Sequence, residues 1–290
     1  MFIKIEYCKI CLNKDNKSLF KINYNNQKMV DFFTKFYGEK VTHKILELIS
    51  NDYYELLECN KCNFIWQKNH PNQFIQSLLY NDWISFDNSQ KKSLNQKIKT
   101  NFFNNINIFL KIFFNNTKLK FLDYGAGFGN FSIFLNREHD HVFALETSIK
   151  KVEFLQKSNI KIINYDNYKN YESHFDFIFI NQVVEHLDDF NKFFKIILYL
   201  SKKNTILYIS VPNSKKFSGK IDKGAYQPLE HLNSFKNKNL LKLFKNNSFK
   251  RISIFKIISL IFKKGSPKIF LFKRIYFQLF TTSIFFIKEN

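Results

Sequence analysis

The four cysteines of this 290-residue chain lie in two pairs that have the spacing of metal ligands. Cys8 and Cys11 form one Cys-x2-Cys pair, Cys59 and Cys62 form the other, and the sequence has no further cysteine. Each pair fits a short turn that directs two thiolates at one ion, and two such pairs complete a tetrahedral Zn²⁺ site. Because four thiolates leave no open coordination position, we expect a structural rather than a catalytic zinc ion.

The segment between the two pairs must return the chain to the metal. Within it, "VTHKILELI" (41–49) predicts part of a helix and "YYELLEC" (53–59) predicts a strand that enters the second pair. Four free thiols that only pack, or a disulfide, are the alternatives, and the paired spacing and a reducing compartment argue against them. A redox centre needs a single pair beside a βαβ unit, so two pairs argue against redox chemistry as well.

The stretch "FLDYGAGFGNF" places three of the chain's 7 glycines around one turn. Gly125, Gly127 and Gly129 leave bare backbone for a ligand, and Asp123 stands just before them. A dinucleotide fingerprint needs its third glycine one residue later, where this chain has Asn130, and the Gly-Lys-Ser/Thr of a phosphate-binding loop is missing. Asp123 would repel a pyrophosphate but suits a cationic ligand, and S-adenosylmethionine carries an ammonium and a sulfonium group without any phosphate.

Two more acidic residues strengthen this prediction. Glu146, in "ALETS", ends the next predicted strand 21 residues after Gly125, where a carboxylate accepts both ribose hydroxyls of a nucleoside. Asp166 follows the third predicted strand, in "NYDNY". A flexible turn among ordinary surface acids is the alternative, and the combination of the glycine turn with three placed acids argues against it.

From Leu119 onward, strand and helix patterns alternate. The predicted strands are "KLKFLDYG", "HVFALETS", "IKIINYD", "FDFIFINQVVEHL" and "NTILYISVPN". The helical patterns are "FGNFSIFLNRE", "IKKVEFLQKSN", "DDFNKFFKIILYLSK" and "KNKNLLKLFKNNSF". This alternation predicts an α/β fold in which helices cover both faces of a parallel sheet, and ligands of such sheets bind at the carboxyl ends of the strands.

Residues 119–257 resemble a class I S-adenosylmethionine-dependent methyltransferase. The resemblance is carried by "DYGAGFG", by Glu146 and Asp166 in their motifs, and by "FDFIFINQVVEHLDD". It implies a Rossmann-like, seven-stranded methyltransferase sheet. In that sheet "FKRISIFKI" (249–257) is the sixth strand, and "TTSIFFIKE" (281–289) is a seventh strand antiparallel to the sixth.

The resemblance also implies roles in cofactor binding. Asp123 and the three glycines would line the methionine end of S-adenosylmethionine, Glu146 would hold the ribose, and Asp166 would lie beside the adenine amino group. Asn181, at the tip of the fourth strand, would lie near the point of methyl transfer.

The N-terminal sequences "CKIC" and "YYELLECNKCNFIWQ" are similar to the zinc-bearing lead-in of a subgroup of these enzymes. That subgroup includes sugar C-methyltransferases and relatives found among polysaccharide-biosynthesis proteins. We therefore expect a zinc-binding N-terminal module (1–75), a helical linker or lid (76–115) and an S-adenosylmethionine-dependent methyltransferase domain (116–290).

Histidines after the fourth and fifth strands are the candidates for a general base. Methyl transfer often removes a proton from the acceptor, and histidine accepts protons near neutral pH. We favour His231, in "QPLEHLNSF", with Glu230 orienting its ring, and His186, in "VVEHLDD", is the second candidate. Loop packing or helix capping is the alternative for both histidines. Tyr80 and Trp83, in "LLYNDWISF", would close over the site, although aromatic residues at helical spacing more often belong to a core.

The net charge of +21 is spread along the chain, since the lysines are not clustered. Lys, Asn, Ile and 37 Phe are enriched together, as an A/T-rich genome produces, and this argues against selection for a polyanionic partner. The sequence has neither a secretory signal nor a run long enough to span a membrane, which predicts a cytoplasmic protein. The aromatic, basic stretch 258–287 is expected to pack over the acceptor site, with weak peripheral membrane contact as the alternative.

These observations predict methyl transfer from S-adenosylmethionine to an oxygen or carbon of a small molecule or glycan precursor, such as a nucleotide-linked sugar. With no cysteine beyond Cys62, the methyltransferase part lacks the nucleophile that 5-methylpyrimidine formation needs, and "NQVVEH" differs from the Asn-Pro-Pro-Tyr-like turn of DNA adenine methylation. An RNA methyltransferase that grips phosphates with the zinc module and basic charge is the first alternative. A non-catalytic, cofactor-binding scaffold is the second.

Overall fold

The structure is a computed structural model that describes residues 1–94, 98–114, 118–214, 217–219, 221, 224–253 and 283–289. Its strands are β1 (Phe2–Lys4), β2 (Asn16–Asn23), β3 (Tyr53–Cys59), β4 (Ile65–Gln67), β5 (Asn69–Pro71), β6 (Phe121–Tyr124), β7 (Val142–Leu145), β8 (Lys161–Ile163), β9 (Phe175–Asn181), β10 (Ser201–Ser210), β11 (Asn233–Ser234), β12 (Phe249–Arg251) and β13 (Ser283–Lys288). Its α-helices are α1 (Gln27–Tyr37), α2 (Glu39–Ile49), α3 (Gln73–Leu78), α4 (Phe86–Leu94), α5 (Ile98–Phe114), α6 (Asn130–Leu135), α7 (Ile149–Lys157), α8 (Phe190–Leu200) and α9 (Asn237–Lys245). Shorter helical turns are the π-helical turn Leu79–Trp83 and the 3₁₀ turns Tyr168–Tyr171 and Val184–His186.

These elements form two compact units, and neither unit is continuous in the sequence. The N-terminal unit consists of Met1–Phe86, Val184–Phe190 and Pro212–Leu243. The sheet unit consists of Asp87–Val183, Asn191–Val211 and Phe244–Asn290. Two segments that follow β9 and β10 in the chain therefore belong to the N-terminal unit. The domain boundaries at 75 and 115 stay a prediction.

The sheet unit is built on a seven-stranded mixed sheet with the strand order β12-β13-β10-β9-β6-β7-β8. β6 pairs in parallel with β7 and with β9, whereas β13 runs antiparallel to β10 and β12. All four residues of β6 and of β7 are buried, as expected for strands that carry helices on both faces. The predicted α/β fold and its antiparallel seventh strand are confirmed.

The order of the strands creates a place for a ligand. The chain runs outward from β6 through β7 to β8, and then returns to β9 on the other side of β6. A crevice forms at the carboxyl ends of the strands where the order reverses in this way. Tyr124 of β6 is paired with Ile180 of β9. Gly125 and Asn181 come next in the sequence, so they lie at the ends of neighbouring strands.

The N-terminal unit contains a four-stranded antiparallel sheet of order β11-β4-β3-β2 and a separate pair of β1 with β5. The strand predicted at 53–59 is β3, and the helix predicted within 41–49 is part of α2. The apolar core of this unit includes Phe33, Ile45, Tyr54 and Trp83. Trp83 therefore has the core position that helical spacing predicts for an aromatic residue.

The described residues include no helix that is both long and apolar enough to cross a membrane. Of the stretch 258–287, residues 258–282 lie outside the described residues, and so does 254–257 of the predicted sixth strand. Residues 283–287 belong to β13, in which Ile284, Phe285 and Phe286 are buried.

Candidate functional site

The glycine turn connects the end of β6 with the start of α6. Gly125, Gly127 and Gly129 all have φ between +59° and +70°, the left-handed region that favours glycine. A Cβ atom on Gly125 would lie 2.5 Å from Cγ2 of Val183, so a side chain there is excluded sterically as well. The backbone N–H of Gly125 donates to the carbonyl of Leu145 at 2.8 Å, which ties the turn to the end of β7.

Asp123 is the last-but-one residue of β6 and is only 4% exposed. Its Oδ2 accepts hydrogen bonds from the hydroxyl of Ser132 at 2.6 Å and from the backbone N–H of Ser132 at 3.3 Å. These bonds connect the end of the strand to α6. Asp123 thus has a structural contact with Ser132 in addition to its place in the cleft described below.

Glu146 follows β7, and backbone donors hold both of its carboxylate oxygens. Its Oε2 accepts from the N–H of Gly127 at 2.7 Å, and its Oε1 accepts from the N–H groups of Thr147 and Ser148 at 2.8 and 2.9 Å. Hydrogen bonds to an ionised acceptor are the stronger ones. The structure therefore joins the glycine turn and the second predicted acid in one rigid arrangement.

A cleft of about 450 Å³, measured out to its open mouth, lies at the ends of β6 and β9. It is lined by Phe102, Phe103, Asp123, Gly125, Ala126, Asn130, Phe131, Phe179 and Asn181. The glycine turn and the strand ends supply the polar side of the cleft, and aromatic residues supply an apolar side. A cofactor with a charged amino-acid end and an apolar surface matches such a lining.

The aromatic wall of the cleft was not predicted. Phe131 stacks on Phe179 with ring centroids 4.0 Å apart, and Phe103 packs edge-on against Phe131 at 5.3 Å. Phe102 and Phe103 come from α5, which the sequence indicated only as a linker or lid. The paired phenylalanines on a helix just before the first strand of the sheet were the available signal.

Asp166, the third predicted acid, is exposed in the loop after β8. Its backbone N–H donates to Oδ1 of Asn164 at 3.0 Å, and the residue is not among those that line the described cleft. Its neighbour Tyr165 contacts Tyr124, with the two hydroxyl oxygens 3.1 Å apart. The adenine contact of Asp166 stays a prediction.

The four cysteines, called the cysteine cluster below, lie together in the N-terminal unit. Their sulfur atoms are 3.5 Å apart between Cys8 and Cys62 and between Cys11 and Cys59, and 3.6 Å apart between Cys11 and Cys62. All four sulfurs lie within 4.8 Å of one another. A tetrahedron with zinc–sulfur bonds of about 2.3 Å has sulfur atoms about 3.8 Å apart, so this donor set fits a zinc ion.

The two Cys-x2-Cys turns have the same backbone structure. The N–H of Cys8 donates to the carbonyl of Asn13 at 2.9 Å, and the N–H of Leu12 donates to the carbonyl of Cys8 at 2.8 Å. The turn that starts at Cys59 repeats both bonds at 2.9 Å. Leu12 and its counterpart Asn63 both have positive φ, at 58° and 56°. This repetition is typical of paired metal-binding turns.

Thiolate formation is favoured at one cysteine in particular. Burial works to raise the pKa of the Cys59 thiol, but the backbone N–H groups of Cys62 and Lys61, together with the side chains of Cys11 and Cys62, outweigh it and bring the pKa to about 7. Burial instead raises the pKa of Cys8. In the protein without metal, the cluster therefore holds thiols of different acidity, and a bound cation would favour thiolates at all four positions.

Both predicted base candidates lie in the N-terminal unit, together with Glu185. We call Glu185, His186 and His231 the histidine cluster. The ring centroids of the two histidines are 4.8 Å apart, and one ligand atom from each of the three residues lies within 4.8 Å of the others. Glu185 and His186 belong to the 3₁₀ turn after β9, and His231 lies just before β11. Tertiary structure thus brings the two histidines together.

Backbone carbonyls orient both rings. His231 Nδ1 lies 2.6 Å from the carbonyl oxygen of Gly224, and His186 Nδ1 lies 2.8 Å from the carbonyl oxygen of Glu230. Since a carbonyl oxygen can only accept, each Nδ1 carries a proton in its contact, and the lone pair of each neutral ring is on Nε2. Tyr80, predicted to close over the site, places its hydroxyl oxygen 3.1 Å from His186 Nδ1.

Glu230 was predicted to orient His231, and its carboxylate contacts Tyr37 and Gln227. Its Oε1 accepts from the hydroxyl of Tyr37 at 2.6 Å and makes a short contact with Nε2 of Gln227. Burial and the nearby Glu230 carboxylate raise the pKa of Tyr37 well above its usual range. The carbonyl of Gly224 contacts His231 at Nδ1, and the orienting role of Glu230 stays a prediction.

Glu185 was not predicted as a functional residue. Its side chain is 1% exposed, and neither carboxylate oxygen has a hydrogen-bond partner among the residues that the structure describes. Its Oε1 lies 3.9 Å from Nε2 of His186. Burial raises the pKa of this carboxyl group to about 8. The sequence placed it only as the neighbour of His186, and its burial could not be inferred from "VVEHLDD".

Comparison with known proteins identifies a methyltransferase domain in this chain. A family model described as a methyltransferase domain matches residues 95–254, which is more than half of the chain. No curated protein matches the chain in sequence.

Several solved structures of methyltransferases resemble this chain. The plantazolicin methyltransferase BpumL, in complex with a pentazolic desmethylPZN analog and SAH, has a TM-score of 0.51 and 16% identity, over 75% of this chain and 95% of that chain. The 1,6-didemethyltoxoflavin-N1-methyltransferase of Burkholderia thailandensis has a TM-score of 0.48 and 15% identity, over 82% of this chain and 96% of that chain. A putative sarcosine dimethylglycine methyltransferase of Galdieria sulphuraria has a TM-score of 0.44 and 17% identity, over 66% of this chain and 85% of that chain.

Proposed function

Because this chain belongs to the methyltransferase domain family, we propose that it transfers the methyl group of S-adenosylmethionine to an oxygen or carbon atom of a small molecule or glycan precursor, such as a nucleotide-linked sugar. Membership of the family makes the chain an S-adenosylmethionine-dependent methyltransferase, and the acceptor is the part that is proposed. The observation that carries the proposal is the glycine turn, held by Glu146 beside a cleft at the ends of β6 and β9.

We assign the cofactor contacts as the sequence predicted them. Asp123 and the glycine turn face the methionine end, since a carboxylate suits an ammonium group and bare backbone permits close approach. Glu146 holds the ribose hydroxyls, and its three backbone hydrogen bonds support this role because they fix the carboxylate beside the turn. Asn181 lines the cleft and is assigned to the transfer point. Asp166 is assigned to the adenine end.

The reaction needs little chemistry from the protein. The acceptor oxygen or carbon forms a bond to the methyl carbon while the carbon–sulfur bond breaks, and S-adenosylhomocysteine leaves. The acceptor loses one proton, which a base or the solvent takes up. Positioning in line with the breaking bond and removal of this proton are therefore the two tasks left to the protein.

The acceptor proton is assigned to the histidine cluster. The Nδ1–H of His231 is held by Gly224, so a neutral ring has its lone pair on Nε2, as a general base requires. His186 is the second candidate, and Glu230 contributes its carbonyl to the orientation of His186.

The cysteine cluster is proposed to bind one structural zinc ion. The sulfur spacing and the repeated backbone turns support it, and four sulfur ligands would leave no position for a substrate. Reduced cysteines are needed for this site, which supports the cytoplasm as the compartment. The similarity of this N-terminal sequence to sugar C-methyltransferases is what favours a sugar-linked acceptor.

Binding and activity measurements test the proposal separately. Calorimetry with S-adenosylhomocysteine should show one binding site per chain, whereas a nicotinamide dinucleotide should not bind. Transfer of a labelled methyl group should then be assayed against nucleotide-linked sugars, small hydroxylated molecules and RNA. If RNA were the only labelled product, the proposal of a small-molecule or glycan acceptor would be wrong. If the dinucleotide bound and S-adenosylhomocysteine did not, the assignment of S-adenosylmethionine as the cofactor would be wrong.

A further inference from the structure

The Glu185 carboxyl group is buried in the N-terminal unit, and the proposed function gives it no role. Its side chain is only 1% exposed, and no described residue forms a hydrogen bond with either carboxylate oxygen. A buried carboxylate without partners is costly, and protonation alone would still leave its oxygens without hydrogen bonds. A cation bound at its oxygens would remove this cost.

The two imidazoles beside Glu185 are oriented in the way that metal-binding histidines are. Each donates its Nδ1–H to a backbone carbonyl, His186 to Glu230 at 2.8 Å and His231 to Gly224 at 2.6 Å. Such bonds fix the ring and the tautomer and make Nε2 the ligand atom. His186 Nε2 already lies on the side of Glu185, 3.9 Å from Oε1.

We propose that Glu185, His186 and His231 form a binding site for one divalent transition-metal ion. Two imidazole nitrogens and one carboxylate are a common donor set for catalytic zinc and for iron with open coordination positions. Imidazole ligands favour such ions over Mg²⁺ and Ca²⁺, which prefer oxygen.

The observed distances allow this ligation after a small adjustment. Ligands about 2.1 Å from a metal lie about 3.0–3.4 Å from one another, depending on geometry. One ring nitrogen of each histidine and one carboxylate oxygen lie within 4.8 Å of one another, and His186 Nε2 lies 3.9 Å from Glu185 Oε1. Side-chain rotations that move these atoms by about 1 Å would bring them within reach of one ion.

This inference rests on the proposed function and deepens it. Three protein ligands leave positions open for an oxygen of the acceptor, and a bound cation lowers the pKa of a hydroxyl group that coordinates it. His231 would then serve as a ligand, because its Nε2 lone pair cannot also accept the acceptor proton. The general-base role described above applies to the protein without this metal.

Co²⁺ distinguishes this site from the cysteine cluster. Zinc-loaded protein should bind one further Co²⁺ per chain, with visible absorption but without the near-ultraviolet band of thiolate–cobalt bonds. Proton NMR of this complex should show two exchangeable, strongly shifted imidazole N–H signals, one from each Nδ1–H held by a carbonyl. The His186→Gln and His231→Gln variants should each lose one of these signals.

Variants and controls complete the test. The Glu185→Gln variant should bind Co²⁺ at least about tenfold more weakly, since it keeps the shape of the side chain but loses the charge. His43, which is exposed on α2, supplies the control His43→Gln, and its Co²⁺ affinity should equal that of the wild type. Wild-type protein that takes up no Co²⁺ at millimolar concentration, or only with a thiolate band, would overturn the site.

The same samples separate this inference from the proposed function. Affinity for S-adenosylhomocysteine is measured without added Co²⁺, and failure to bind it would remove the proposed function. Intact S-adenosylhomocysteine binding without any Co²⁺ site would remove only the metal inference and would leave His231 as the base. Because the NMR signals come from the wild type, the test does not depend on whether Glu185→Gln folds.

Discussion

The cysteine cluster and the histidine cluster belong to the same unit, yet they are built in opposite ways. Each cysteine turn is organised within about six residues by the same two backbone bonds, and the sulfur atoms are already 3.5–3.6 Å apart. The histidine cluster takes Glu185 and His186 from one segment and His231 from another, and its atoms lie up to 4.8 Å apart. Ligands organised by local turns are preset, whereas ligands from distant segments depend on the whole unit.

The two clusters also differ in what they leave open. Four thiolates would complete the coordination of a zinc ion, so the cysteine cluster suits a structural role. The histidine cluster offers three ligands, and within the described part of the chain its buried carboxylate forms no hydrogen bond. A closed site stabilises a fold, while an incomplete site can accept a ligand and take part in chemistry.

The largest effect is expected at the cysteine cluster. Cys59→Ser should abolish zinc binding and unfold the N-terminal unit at a lower temperature, since structural zinc contributes about 10–16 kcal/mol in small zinc-binding domains. Elemental analysis and a thermal melt measure the two results. Lys61→Ser, between the two cysteines of the same turn, is the matched control and should keep the zinc. Wild-type protein that contains no zinc after careful purification would contradict the site, and affinity for S-adenosylhomocysteine should be largely retained in Cys59→Ser.

The next effect is expected at His231. His231→Gln should lower the turnover number by about 10²–10⁴-fold, the usual share of general acid–base catalysis. Its affinity for S-adenosylhomocysteine should stay nearly unchanged, because His231 is not among the residues assigned to the cofactor. Steady-state kinetics on the true acceptor and calorimetry measure these two quantities. The control His43→Gln should behave like the wild type. Full turnover of His231→Gln would show that His231 contributes to packing and is not the base.

A smaller effect is expected at Glu146, whose carboxylate is bonded to the glycine turn and belongs to neither cluster. Glu146→Ala should weaken S-adenosylhomocysteine binding by about 1.5–3 kcal/mol, because hydrogen bonds to a charged acceptor are lost. Glu146→Gln should lose less, since an amide oxygen can still accept from the N–H of Gly127. Glu153, exposed on α7, provides the control Glu153→Ala. Equal affinities for Glu146→Ala and the control in calorimetry would rule out the ribose contact.

The smallest effect concerns His70, a buried imidazole outside both clusters. Burial holds the pKa of His70 well below its usual range, and neither ring nitrogen has a hydrogen-bond partner in the described ranges of the chain. The unfolded chain therefore binds a proton below about pH 6.5 that the folded protein does not, so the free energy of unfolding falls as the pH drops, by at most about 1.4 kcal/mol per pH unit.

Replacing His70 tests this contribution. The free energy of unfolding of His70→Phe, measured with urea, should depend less on pH between about 6.5 and 5 than that of the wild type. His43→Phe changes an exposed histidine and should keep the wild-type slope. Identical slopes in all three proteins would mean that His70 titrates alike in the folded and unfolded states.

Prediction from the sequence succeeded where the signal is local. The strand 53–59 was predicted with its observed bounds, because "YYELLEC" carries its own pattern. The glycine turn and Glu146 were identified from type and spacing, and the structure joins them by a hydrogen bond of 2.7 Å. The alternation of strands and helices was enough to predict the parallel sheet, since each element must bury an apolar face.

Prediction failed to reach features that depend on contacts between distant residues. The aromatic wall of the cleft forms only if α5 packs against Phe131 and Phe179, and the sequence pattern of α5 does not indicate these packing partners. Glu185 looked like an ordinary polar neighbour of His186, although its carboxyl group is buried and forms no hydrogen bond with another described residue. The ring of His231 is oriented by the backbone carbonyl of Gly224. Every residue has such a carbonyl, so the sequence does not indicate which one a histidine will contact.

The sequence by itself determined the reaction class and the two local motifs. Glycine in "DYGAGFG" is required because the backbone has positive φ there, and paired cysteines converge because a short turn allows little else. Only the tertiary structure decided which side chains share a site. The segments after β9 and β10 belong to the N-terminal unit, so Glu185, His186 and His231 meet there. Burial and proximity are properties of the folded chain as a whole, because they depend on every element that packs around a residue.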